Sequence, residues 1–324
     1  MLAALLMTLA GLALLVLAGD ALVRGAVNLA LRAGVPALLV SLTIVAFGTS
    51  APELLVVIKA AAEGYPGVAI GNIVGSNIAN ILLVVGVPAL ISGIVMDGES
   101  AFRNYVFMMG ASIAFIALAW LGPLDIPHGV VLLALLGLML FDAWRSARRH
   151  RRAHKAARAA QAAAAAEAGE IEEVDPGLPG WKIALLLVIG IIGLPLGADL
   201  LVKGAVDLAE DLGVSDTVIG LTVVAVGTSL PELATTVAAA LRRHTDVILG
   251  NVLGSNAFNL LAIMGLGSLF GPLEMPRRVL DFDLWVMLGT ALLLAPFIIL
   301  RLNISRAVGA IMLALYALYV AQLV

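Results

Sequence analysis

The sequence predicts an all-α polytopic membrane protein, with about ten transmembrane helices in two inverted-topology repeats of five and with helices broken at the membrane centre. Three observations carry that prediction. The 324-residue chain is 62% hydrophobic and only 13% charged, about half the ~25% charged share of a soluble globular domain, and its mean hydropathy is +1.08. Its apolar residues fall in ten stretches, each near the roughly 20 residues that one helical crossing needs. Its two halves also repeat one another at a constant offset of 179 residues.

The stretches lie at about 2–31, 36–62, 67–92, 102–121 and 127–143, then at 181–209, 215–241, 246–270, 281–300 and 305–322. No basic residue precedes the first, so it lacks the positive n-region of a cleaved signal and reads as the first membrane helix. Residues 1–143 thus form one five-helix repeat and 180–324 the second. Between them, 144–179 is a polar linker. It opens with Arg145, Arg148, Arg149, Arg151, Arg152, Lys155 and Arg158, passes through an alanine-rich middle, and ends with Glu167, Glu170, Glu172, Glu173 and Asp175. A helical or partly disordered linker fits that composition, and its acidic end reads as a solvated charge run.

Basic residues favour the cytoplasmic side of a membrane. The linker is therefore expected in the cytoplasm and both termini outside, in an inner or plasma membrane. Arg32, Arg103, Arg242, Arg243, Arg301 and Arg306 agree with that orientation, whereas Arg277 and Arg278 fall on the opposite side. The formal net charge of −3 argues against a nucleic-acid partner, which would demand a basic face. Zero cysteines exclude disulfides, thiolate metal sites and cysteine nucleophiles.

The repeat is more than shared apolar bias. GTSAPEL at 48–54 recurs as GTSLPEL at 227–233, GNIVGSNIAN at 71–80 as GNVLGSNAFN at 250–259, and GDALVRGAV at 19–27 as ADLLVKGAV at 198–206. Across 18–86 and 197–265, 31 of 69 positions are identical. An odd number of crossings per half turns the second repeat over relative to the first, an arrangement typical of secondary transporters.

The repeated residues are those a membrane helix otherwise avoids. An intramembrane carboxylate marks a functional site by default, and Glu53 and Glu232 each stand in an apolar helix beside a proline. Pro52 and Pro231 donate no hydrogen bond and crowd the carbonyl four residues back, which is expected to break the helix and free backbone oxygens near Ala46, Phe47 and Gly48 and near Ala225, Val226 and Gly227. Gly48 and Gly227 are expected to add flexibility. Thr49, Ser50 and Glu53 share a helix face, as do Thr228, Ser229 and Glu232. The second motif contributes Ser76 with Asn80, and Ser255 with Asn259. All of these ligands are oxygens, with no sulfur or imidazole, which suits a hard cation. Calcium takes about 6–8 oxygens, two glutamates offset one divalent charge, and hydroxyls, amides and carbonyls offer weaker sites suited to sodium. No histidine or lysine base lies within the motifs, which argues against a hydrolase built on Ser50 or Ser229.

Other polar residues have plainer readings. Asn72, Asn77, Asn251 and Asn256 read as packing or supporting groups rather than ligands. Asp20 with Arg24, and Asp199 with Lys203, read as i, i+4 ion pairs near helix ends. His128, His150, His154 and His244 read as solvated surface residues.

Together, GTSAPE with GNIVGSN and GTSLPE with GNVLGSN resemble the two α-repeats of the sodium/calcium exchanger family, within the cation/calcium antiporter superfamily, and suggest a prokaryotic member. The resemblance implies four ion sites at mid-membrane formed by the second, third, seventh and eighth helices, with the first and sixth helices as a sliding pair. It makes Glu53 and Glu232 the central calcium ligands. Thr49, Ser50, Ser76, Thr228, Ser229 and Ser255 would supply flanking oxygens, chiefly to sodium, and carbonyls at Ala46 and Ala225 would complete two sites. It implies no enzyme and no cofactor, with calcium and sodium as transported ions and the lipid bilayer as surroundings, in a protein that functions as a monomer. Proton/calcium exchange at the same glutamates is the alternative. Many prokaryotic and potassium-dependent relatives carry Asp where this chain has Asn259, while Asn80 fits the first repeat. The linker is too short for the calcium-sensing domains of animal exchangers.

Overall fold

The computed structural model describes the whole chain except residues 1, 36, 97–98, 169–177, 212–226, 228 and 323–324. Ala225, Thr228 and the acidic end of the linker beyond 168 therefore lie outside the described residues. The described residues form helices and no named strand. These are α1 (Leu2–Ala33), α2 (Ser41–Thr49) and α3 (Ala51–Ala62), which are bent by 52° into one broken span, and α4 (Pro66–Ser92). Next come α5 (Glu99–Leu121), α6 (Ile126–Ala168) and α7 (Gly180–Asp211). The last are α8 (Leu230–Leu241), α9 (Thr245–Gly267), α10 (Val279–Ile299) and α11 (Arg306–Ala321). Seven are long and apolar enough to cross a membrane, or eight with the broken span counted as one, while α8 and α11 are shorter apolar helices. The basic run that opens the linker continues α6 as helix to Ala168.

Composition decides which helices lie inside. The apolar window of α9 is entirely buried and that of α4 is 78% buried, against 17% in α6 and 28% in α1 and α7. The buried pair carries the GNxxGSN motifs, whose amides need protein partners because a bilayer offers none. The outer helices instead present side chains such as Leu6, Leu12, Val130, Phe141 and Ile192 to the lipid.

Helices α1 and α7 run against each other at backbone distance. A Cβ added at Gly11 would stand 2.4 Å from Leu201 N and 2.8 Å from Gly197 O, and one at Gly190 would stand 2.4 Å from Leu22 Cβ. Small residues permit this approach, which is the main source of packing energy between helices in lipid. This helix pair leans on α2 and α8, with Gly19 of α1 against Ala234 of α8 and Gly48 of α2 against Ile191 of α7.

The repeat is visible in the contacts as well as in the sequence. Gly86 of α4 abuts Gly309 of α11, and Gly265 of α9 abuts Gly129 of α6. Short antiparallel bridges join Ile94 to Ile304 and Leu124 to Leu273. Both α3 and α8 end in a left-handed residue, Gly64 (φ 77°) and Arg243 (φ 58°), followed by Tyr65 N–H to Ala60 O at 2.8 Å and His244 N–H to Ala239 O at 2.9 Å.

Two surface readings change. Asp20 pairs with Arg24 at 4.0 Å, but its nearer partner is Arg242 at the end of α8, which ties α1 to α8; Asp199 pairs with Lys203 at 2.7 Å as the spacing predicts. His128 is engaged by Asp125 at the start of α6, a contact that holds the Asp125 carboxyl below its usual range.

Candidate ion-binding site

The site begins at a backbone geometry that recurs at matching serines of the two repeats. Ser50 (φ −84°, ψ 8°) separates α2 from α3, and Ser229 (φ −88°, ψ 3°) precedes α8. Pro52 and Pro231 sit in the first turn of the new helix, where a missing N–H costs nothing. The glycines are not the hinge. Gly48 is helical, and a side chain there would stand 2.9 Å from Ile191; at Gly227 it would stand 2.4 Å from Val202. Both glycines admit α7 rather than add flexibility.

Glu53 and Glu232 lie in the first turns of α3 and α8, where unpaired N–H groups and the helix dipole favour negative charge. Neither serine caps its helix through its side chain. Ser50 Oγ instead donates to Glu232 Oε1 of the other repeat at 3.1 Å, and Ser255 Oγ donates to the same oxygen at 3.4 Å. Both carboxylates are fully buried. Among the described residues, Glu53 Oε1 and Oε2, Glu232 Oε2, Ser229 Oγ, Asn80 Oδ1 and Asn259 Oδ1 have no hydrogen-bond partner. Burying ionised carboxylates without compensation costs many kcal/mol. A hard cation accepts such oxygens, so the donor set fits calcium and sodium.

Asn80 and Asn259 open the second half of the site. Each is fully buried and begins a wide π turn, Asn80–Val84 in α4 and Asn259–Ile263 in α9, a local irregularity frequent at functional positions. Their amide nitrogens are used: Asn80 Nδ2 donates to Asn256 Oδ1 and Asn259 Nδ2 to Asn77 Oδ1, both at 3.0 Å. Asn77 and Asn256, read from sequence as supporting groups, are the partners. Thr49 Oγ1 donates to Ala46 O at 3.2 Å and lies 3.3 Å from Asn251 Oδ1. Ala46 O also accepts Ser50 N–H at 3.1 Å, so this carbonyl is engaged. The oxygen that loses a donor to Pro52 is that of Gly48, four residues back.

The structure therefore joins Ser50, Ser255 and Glu232 directly, and Glu53, Ser76 and Ser229 are buried as well. Two threonines beside the site, Thr235 and Thr236, carry no signal in the repeat because Val56 and Val57 occupy the matching positions. Thr236 Oγ1 reaches Glu232 O at 3.0 Å and Val84 O at 3.2 Å, which fastens α8 to the π turn of α4.

Residues 3–144 and 182–324 match the family described as sodium/calcium exchanger protein. The chain is 36% identical over 348 residues to the sodium/calcium exchanger MaX1 of Methanosarcina acetivorans, covering 98% of this chain and 97% of that one. It is 32% identical over 296 residues to the inner membrane protein YrbG of Escherichia coli, covering 91% and 88%. The structure of the sodium-calcium exchanger NCX_Mj soaked with 10 mM Na+ and zero Ca2+ superposes with a TM-score of 0.82 at 34% identity, over 100% of this chain and 99% of that one. The chain belongs to the sodium/calcium exchanger family.

Proposed function

We propose that the chain exchanges sodium for calcium by alternating access, with Glu53 and Glu232 as the charged calcium ligands. Family membership itself makes it a multi-pass membrane antiporter of calcium and another cation, and not an enzyme; sodium as the driving ion is the finer step. The observation that carries the reading is the group of buried oxygens, drawn from both repeats and without donors among the described residues. Thr49, Ser50, Ser76, Asn80, Thr228, Ser229, Ser255 and Asn259 complete the proposed ligand set with the carbonyls of Ala46 and Ala225. Thr49 has Asn251 Oδ1 as a second acceptor within 3.3 Å, so its hydroxyl can turn away and leave Ala46 O with Ser50 N–H as its remaining donor and one lone pair for a cation.

Ten crossings in two inverted repeats, 1–143 and 180–324, fit the paired contacts, with 144–179 as a cytoplasmic linker and both termini outside. One copy suffices, because every proposed ligand comes from a single chain. Closing the cavity over two bare carboxylates is prohibitive, whereas calcium, or sodium ions in its place, offsets their charge. That difference makes exchange obligatory. The α1–α7 pair, packed through glycines against α2 and α8, is the element that would slide to change access.

Proton/calcium exchange is the second reading, favoured by the same donor-free Glu53 oxygens, which a proton would also neutralise. Calcium-45 uptake into proteoliposomes separates the two. Uptake driven by an outward sodium gradient, and not by a proton gradient of equal size, is expected. Uptake driven by protons alone would overturn the sodium assignment.

A further inference from the structure

We propose that Asn77 and Asn256 are positioning residues that hold the side-chain oxygens of Asn80 and Asn259 toward the transported cation. The proposal rests on reading the donor-free cluster as the cation site. It follows from hydrogen bonds that close on fixed backbone atoms. Asn256 Nδ2 donates to Asn77 O at 3.2 Å, and Asn77 Nδ2 donates to Asn256 O at 3.3 Å. A backbone carbonyl only accepts, so each of these carboxamides must present its nitrogen there and its oxygen on the opposite side. Those oxygens then accept from Asn80 Nδ2 and Asn259 Nδ2, both at 3.0 Å.

The last two amides consequently have one permitted orientation. Turning Asn80 over would set its Oδ1 against Asn256 Oδ1, two acceptors with no proton between them. Relieving that clash by turning Asn256 as well would set an oxygen against Asn77 O. The chain of constraint leaves Asn80 Oδ1 and Asn259 Oδ1 pointing away from the lock, buried and without a partner among the described residues. Without the lock, either amide could present N–H groups to the cavity, and those repel a cation. The four asparagines are related by the 179-residue offset, so the device is built twice, each repeat orienting the other's ligand.

A double-variant cycle tests this in the purified full chain. The dissociation constant for calcium-45 is measured for wild type, Asn256→Ala, Asn80→Asp and the double variant. Loss of a supporting hydrogen bond beside a metal ligand weakens binding about 10–100-fold, and that weakening is expected for Asn256→Ala in the Asn80 background. With Asp at 80, a carboxylate offers oxygen whichever way it turns and has no bond to Asn256 Oδ1 to lose, so Asn256→Ala should weaken binding by less than about twofold. Equal weakening in both backgrounds would mean lost packing and would overturn the proposal, as would no weakening in the wild-type background. Asn77→Ala with Asn259→Asp is the mirror-image cycle, with the same two outcomes, should Asn256→Ala not stay monodisperse. A wild type that binds no calcium-45 would sink the functional reading instead, so the two failures are distinct.

Discussion

Replacing Glu53 with glutamine should move stability and calcium binding in opposite directions. The Glu53 carboxylate is fully buried and neither oxygen has a donor among the described residues, so in the ion-free protein its charge is uncompensated. A neutral amide of the same shape removes that cost, and the calcium-free unfolding midpoint of Glu53→Gln should rise. With calcium the sign reverses, because one of the two charges that match the divalent ion is lost. Breaking a buried charge pair costs about 3–5 kcal/mol, which at 1.36 kcal/mol per tenfold is roughly a 150- to 5,000-fold loss of affinity. Thermal unfolding at a calcium concentration of about 100 times the wild-type Kd reads both effects. Wild type should gain about 2.7 kcal/mol, and by the same relation the variant under about 0.3 kcal/mol. A variant that still gains more than about 1 kcal/mol from calcium, or whose calcium-free midpoint falls, would refute the reasoning.

The remaining predictions concern the scaffold and its orientation. Gly11→Ala places a methyl 2.4 Å from Leu201 N, so α1 and α7 must part; overpacking of this kind costs about 1–3 kcal/mol and should lower the unfolding midpoint, while Gly137→Ala, with nothing within 4 Å, should not. Arg243 occupies a left-handed conformation (φ 58°) that costs an L residue about 1–2 kcal/mol, and Gly64 stands at the matching place in the first repeat; Arg243→Gly should raise the midpoint, and a fall would contradict the conformation. Since the chain has no cysteine, Arg151→Cys should react with a membrane-impermeant maleimide only from the cytoplasmic face and Glu63→Cys only from outside. Reversed labelling would invert the proposed orientation without touching the exchange reaction.

What could be read from the sequence is what depends on local rules or on the repeat. Proline beside glutamate in an apolar run signals a broken helix, and the offset of 179 residues identifies Glu53 and Glu232 as partners before any coordinates. Where the break falls was less legible. The chain bends at Ser50, and Gly48 and Gly227 serve packing, because what each glycine admits is set by a separate helix, Ile191 and Val202 of α7, and not by the local sequence. The π turns at Asn80 and Asn259 leave no mark in hydropathy. Nor can spacing show that Asp20 reaches Arg242, or that Thr236 grips Val84 O, since both contacts join segments more than 150 residues apart. The asparagines were legible as residues but not as a device. An amide has two faces, and only its partners decide which one the cavity meets.

That device gives the amide at position 259 a structural reason. Asn259 donates to Asn77 Oδ1 at 3.0 Å, and a carboxylate there could not. Aspartate would force Asn77 to turn and surrender its bond to Asn256 O, so the lock and a third carboxylate exclude each other. With two glutamates as the proposed site's formal charge, one calcium leaves the centre near neutral and there is no electrostatic demand for a further cation. Initial sodium-driven calcium uptake should therefore be the same with and without potassium. In Asn259→Asp the added charge should be met by an additional monovalent ion, and uptake should become sensitive to which one is supplied. A strict potassium requirement in the wild type, or a variant indifferent to the monovalent ion, would show that residue 259 does not face the transported cation.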